Sequence, residues 1–122
     1  MRRAAATLAA LFLVAGAAEA HTWRVEPGSN AQVELQRALI EAKPGDIVRL
    51  AAGRFALTAG LSLDVDRVTI RGEGQDRSIL DFTGQRQGAE GLLITSNRVT
   101  LREFAVENAK GDAIKARGCD QI

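Results

Sequence analysis

Three features of the sequence predict an all-β fold: a right-handed parallel β-helix, of which this chain holds about the first three coils. A twelve-residue stretch recurs at an offset of 31. Apolar runs of four or five residues are punctuated by Gly, Asp and Asn. One amphipathic helix precedes them and is placed to cap the open end of such a fold.

The first twenty residues stand apart from that pattern. Arg2 and Arg3 are followed by an apolar run centred on Leu11-Phe12-Leu13-Val14, which closes on Ala18-Glu19-Ala20. A basic start, a short apolar centre and a small-x-small close are the marks of a secretory signal peptide, so residues 1–20 are expected to be removed between Ala20 and His21. The run is shorter than a spanning helix needs, so no membrane association is expected after its removal. The protein is expected to be secreted or periplasmic. Removal takes two arginines and one glutamate from a chain of formal net charge +1, leaving a neutral balance. Nothing in that balance points to nucleic acid.

Residues 21–45 form the lead-in and the capping helix. Trp23 to Pro27 reads as extended. Ser29 and Gln32 have the spacing of a capping box, with Ser29 as N-cap. Val33, Leu35, Ala38, Leu39 and Ala42 follow at mostly helical spacing, with Glu34, Arg37 and Glu41 between them. Pro44-Gly45 ends the helix.

Residues 46–122 carry the coils. Asp46 to Leu50 and Phe55 to Leu57 read as short strands. Gly60 to Arg71 then overlies Gly91 to Arg102 without a gap: glycine, apolar strand, polar corner, Arg-Val-Thr-apolar-Arg. A looser third copy begins at Ala113-Ile114-Lys115-Ala116. The residues around Gly84–Gly91 are expected to be an inserted loop. In a strand, side chains alternate faces, so Val68 with Ile70, and Val99 with Leu101, share the inner face. Arg67, Thr69 and Arg71, like Arg98, Thr100 and Arg102, take the outer one. A single short strand buries too little, so equivalent strands must stack in parallel. An antiparallel sandwich would need hairpins and would not give a repeat of this period.

The segment from Leu35 to Phe55, with its Ala42-Lys43-Pro44-Gly45-Asp46 turn, resembles the first coil of pectate-lyase-like right-handed β-helix proteins. Val68-Thr69-Ile70-Arg71-Gly72 and Ser78-Ile79-Leu80-Asp81 match the same family, and the likeness covers roughly residues 30–122. It implies an architecture more than an activity, because that fold serves lyases, hydrolases, epimerases and noncatalytic proteins. An exported protein that binds or processes an acidic polysaccharide is expected, lyase-like if catalytic. The other class is a noncatalytic structural or surface-adhesion module.

Candidate residues follow from these readings. Arg67 with Arg98, and Arg71 with Arg102, would stack about 4.8 Å apart on the outer face and could hold the carboxylates of an acidic polysaccharide. The bland alternative is a solvated charged face, balanced by Asp64, Asp66, Glu73 and Glu103. The resemblance implies a Ca2+ site built from acidic side chains and an Arg or Lys base. Asp112, Lys115 and Arg117 are the side chains of the third copy that could take these parts, though Asp112 is alone and of opposite strand parity. No paired-carboxylate motif of a glycosidase is present. His21, as a mature N-terminus, could be a copper ligand, but the chain has no second histidine. Gly72-Glu73-Gly74 is a loop, with no third glycine and no following helix of a dinucleotide site. Cys119, the single cysteine, is expected to be a small buried side chain or to pair elsewhere. Gln121-Ile122 stops as a strand begins, so the chain is expected to be an N-terminal fragment lacking the active site, able to self-associate through its uncapped last coil.

Overall fold

The computed structural model describes residues 19–122. The expected leader therefore lies, apart from Glu19 and Ala20, outside the described residues. The described residues are β-rich, with ten strands and one helix among them: β1 (Thr22–Val25), α1 (Ala31–Glu41), β2 (Ile47–Leu50), β3 (Gly53–Ala56), β4 (Ala59–Leu63), β5 (Thr69–Arg71), β6 (Ser78–Asp81), β7 (Gln87–Ile94), β8 (Thr100–Arg102), β9 (Ala105–Glu107) and β10 (Ile114–Ala116).

Every strand pairing is parallel. The first sheet runs β1-β2-β5-β8, the second β3-β6-β9 and the third β4-β7-β10. From β2 onward the chain therefore visits the three sheets in fixed rotation. The repeat stacks on itself without slipping: Leu61 pairs with Leu92, Leu63 with Ile94, Thr69 with Thr100 and Arg71 with Arg102. The extended lead-in belongs to the stack as well, since β1 pairs with β2.

Alternation along each strand turns one set of side chains inward, and parallel register lines them up. Val48 and Ile70 stack with Leu101, and Phe55 and Leu80 with Val106. Phe55, Phe82, Leu63, Leu92 and Ile94 are wholly buried. Burial weakens along the chain: Leu101 and Val106 are only partly buried, and Ile114 and Ile122 are exposed.

The helix covers one end of this core. It packs against β1, β3 and β4, which are the outermost strands of the three sheets on the same side. Ala31, Leu35, Ala38 and Leu39 are its buried residues. Val33, expected on that face, is 58% exposed. The expected Ser29 cap is also corrected. The N-cap is Asn30, without a side-chain cap bond, and the Ala31 N–H donates instead to the Gly28 carbonyl at 3.1 Å. Gln32 is occupied elsewhere, because its Oε1 accepts the Thr58 and Ala59 N–H groups at 2.9 and 3.1 Å. One turn on, Gln36 accepts from Ser62 N–H at 3.0 Å and donates to Ser62 O at 3.1 Å. Two glutamines thus occupy the open edge of β4, which would otherwise invite another strand.

The helix ends where the residue before a proline is steered out of the helical region. Ala42 is already extended, and Gly45 takes φ +98°. The loop expected around Gly84–Gly91 is instead largely strand. β7 begins at Gln87 and pairs with Ala59, and then slips register before Leu92 meets Leu61. The added residues are absorbed as an irregularity within the third sheet, where the Ala89 carbonyl accepts from Gly111 N–H and the Glu90 carbonyl from Gln85 Nε2.

Candidate functional site

Trp23, Val48, Ile70 and Leu101 form one register column on the first sheet, and on all four strands the next residue, turned to the outer face, is arginine. Arg24 pairs with Arg49, Arg49 with Arg71, and Arg71 with Arg102. Adjacent strands lie about 4.8 Å apart, so four guanidinium groups rise from one face as a ladder. Two of them are countered. Arg49 donates through Nε and Nη2 to Glu73 Oε2 at 3.0 and 2.8 Å, and Arg102 meets Glu103 at 3.2 Å. Hydrogen bonding from Arg49, with the positive charge of Arg49, Arg77 and Arg24 around it, holds the Glu73 carboxyl below its ordinary range. Arg24 and Arg71 have no ion-pair partner among the described residues and are exposed. The ladder keeps a net positive face, and its planar forks suit carboxylates.

The sequence-based pair Arg71 and Arg102 lies on this ladder. Arg24 and Arg49 were missed, because their strands join at spacings other than 31. A signal for them was present: both sit between apolar strand residues, in Trp23-Arg24-Val25 and Val48-Arg49-Leu50. Arg67 and Arg98 are corrected. They stack, but at a corner ahead of the strands, with φ +58° and +57°. Gly45 and Gln121 hold positive φ at the equivalent corner positions. The corner is tied by side chains: Asp66 Oδ1 accepts from Asn97 N–H, and Asn97 Oδ1 from Asp120 N–H, both at 2.8 Å. Arg98 Nε donates to Gln121 Oε1 at 3.0 Å. These two arginines serve the turn and leave the ladder.

Two further charged clusters occupy the other outer faces. On the second sheet Asp81 and Glu107 are register partners, and Arg54 Nη1 bridges them at 3.0 and 3.1 Å. Asp81 Oδ1 also accepts from Asn108 Nδ2, Thr83 Oγ1 and Thr83 N–H. Those bonds, Asn108 first, hold the Asp81 carboxyl well below its ordinary value despite the opposing effect of burial. A carboxylate so fully engaged is poorly suited to proton transfer. On the third sheet Lys115 Nζ lies 3.7 Å from Glu90 and 3.9 Å from Asp112. Asp112 and Lys115 therefore meet loosely, and Arg117, exposed and bonded through its backbone to Ile94 O, does not join them. Among the described residues no group of three or more His, Cys, Asp or Glu side chains could hold a metal ion. Cys119 is partly buried, with Sγ 3.0 Å from Ile94 O.

A separate open cavity lies beside the lead-in, bounded by His21, Trp23, Lys43 and Asp46. Asp46 is the buried acid at its floor. Its Oδ1 accepts from His21 N–H at 2.9 Å, and its Oδ2 from Lys43 N–H at 2.9 Å and Trp23 Nε1 at 3.1 Å. Burial pushes this carboxyl up, and the three donors more than reverse the effect, leaving it below its ordinary value.

Among the described residues no helix is long and apolar enough to cross a membrane. No family model, curated protein or solved structure matches the chain.

Proposed function

We propose that this chain is an exported right-handed parallel β-helix protein of pectate-lyase-like type, which binds an acidic polysaccharide along the first sheet. The observation that carries the binding reading is the in-register column Arg24, Arg49, Arg71 and Arg102. A polyuronate presents carboxylates at regular intervals along a chain. A ladder of forked donors at regular intervals on a rigid sheet can take several of them in succession. The fixed rotation of parallel strands through three sheets supports the β-helix, and parallel crossovers are right-handed in nearly all proteins. The helix over one end of the sheets and the Ala42-Lys43-Pro44-Gly45-Asp46 turn support the likeness to that superfamily. The leader supports a secreted or periplasmic location.

In the enzymatic version of this reading the chemistry is of lyase type. Of the candidates Asp112, Lys115 and Arg117, the first two lie 3.9 Å apart and Arg117 stands away from them. The noncatalytic alternative, a structural or adhesive module, draws on the second sheet, whose outer charges are already satisfied by Arg54, Asp81 and Glu107.

Titration calorimetry with polygalacturonate and with a neutral glucan tests the proposal. Binding of the polyuronate alone, weakening with added salt, is expected. Replacing Arg71 and Arg102 together by serine should weaken it about tenfold, from two exposed charge contacts of at most about 1 kcal/mol each. Equal binding of both polymers, or no effect of the double replacement, overturns it.

A further inference from the structure

The Asp46 cavity carries an inference that goes beyond polysaccharide binding and rests on the reading of residues 1–20 as a cleaved leader. His21 is held at both backbone ends: its N–H donates to Asp46 Oδ1 at 2.9 Å, and its carbonyl accepts from Ile47 N–H at 3.0 Å. Its ring meets Trp23 edge-on at 4.7 Å. Trp23 in turn donates to the same carboxylate. The nitrogen of His21 is therefore fixed against an acid that is 5% exposed. All three donors to Asp46 are neutral N–H groups, and no cationic side chain is ion-paired with it among the described residues.

We propose that hydrolysis of the Ala20–His21 bond creates an α-ammonium in place against Asp46, so that removal of the leader converts a neutral hydrogen bond into an ion pair that locks β1 onto the first sheet. Water supplies hydroxyl to the Ala20 carbonyl carbon and a proton to the released amine; nothing is oxidised or reduced. The amine takes a second proton at neutral pH, because an α-amino group ordinarily titrates near 8. The precursor, with only the amide, holds its first strand less firmly. Other titratable groups around the cavity are the His21 imidazole, Glu41 and Lys43, with Glu19 leaving on cleavage.

The test has two parts. The full chain is expressed in a bacterial host, and the protein recovered from the periplasm is weighed intact. A mass corresponding to residues 21–122 is expected. Recovery cut at another bond overturns this inference while leaving export standing, whereas retention in the cytoplasm overturns both.

The chain beginning at His21 is then compared with the same chain acetylated at its α-amine, made by peptide ligation. Acetylation keeps the N–H and removes only the charge, and both forms share every other titrating group. The free amine should melt roughly 4–8 °C higher at neutral pH. Pairing raises the folded-state pKa of the amine. The advantage is thus complete below the unfolded value near 8 and disappears as pH rises through the folded value. Asp46→Asn should abolish the difference, and where that variant does not fold the pH dependence of the wild-type pair decides alone. Equal melting of the free and acetylated chains at neutral pH overturns the inference.

Discussion

Arg49 and Arg71 are register partners on adjacent parallel strands, and of the two only Arg49 is ion-paired, by Glu73 Oε2 at 2.8 Å. Glu73 follows β5 by two residues and reaches back across to the neighbouring strand. It therefore relieves repulsion within the ladder while reducing its charge. Replacing Glu73 by glutamine should act in opposite senses on the two. Stability should fall slightly as like charges face one another. Polyuronate binding should tighten and depend more steeply on salt. Melting curves and calorimetry at low and high salt read both effects, and weaker binding by the variant would contradict the ladder as the binding face.

Gly72 lies where two passes of the chain touch. A Cβ there would run into the Glu103 carbonyl oxygen and come within 2.7 Å of Ser78 Cβ and 2.9 Å of Phe104 Cβ. None of these atoms is the free end of a flexible side chain. Gly72→Ala should cost about 2–3 kcal/mol in denaturant unfolding. Gly118, at φ +62° with nothing within 4 Å of a Cβ, should lose only about 1 kcal/mol as alanine, from backbone conformation alone. Equal losses at the two sites would refute the close approach at Gly72.

The glutamine cover of β4 makes a separate prediction. Replacing Gln32 and Gln36 together by alanine strips the Thr58, Ala59 and Ser62 N–H groups of their partners. The cost should be about 1–2 kcal/mol, limited because water reaches part of that edge. The bared strand should also make the protein associate with rising concentration. Sedimentation of the double variant, compared with the parent, reports this directly.

Acid sensitivity should centre on Asp81. Its folded-state pKa is depressed, so its contribution is complete above the unfolded value near 3.9 and is lost as pH falls towards the folded one. Melting temperature should therefore drop below about pH 4. Asp81→Asn should flatten that drop in part, since Asp46 and Glu73 are depressed in the same sense. A variant as acid-sensitive as the parent would show that Asn108, Thr83 and Arg54 do not stabilise the ionised carboxylate.

Much of the fold is legible in the sequence. The helix before Pro44-Gly45, the inward positions Val68, Ile70 and Val99, and the register of Leu61 on Leu92 all follow from local periodicity and an uninterrupted repeat. Half of the candidate site was legible for the same reason, because Arg71 and Arg102 occupy matching places in the two copies. Arg24 and Arg49 were not, since β1 meets β2, and β2 meets β5, across connections of other lengths. Arg67 and Arg98 match as well as any pair in the repeat, yet a left-handed backbone turned both into corner residues. Val33 and Gln32 show the same limit on the helix. Helical spacing brings a residue near a face, but the neighbouring strand decides which residues that face buries.

The sequence by itself determined which residues of the repeated strands point inward and that the stretch at residues 60–71 repeats. Both are matters of strand geometry, set by covalent bonds between near neighbours. Only the tertiary structure decided that four arginines share one column, that two glutamines close the edge of β4, and that Asp46 meets the nitrogen of His21. Each of these joins residues from segments whose spacing is not repeated. Their alignment depends on how every intervening turn is accommodated, which no single stretch of the chain encodes.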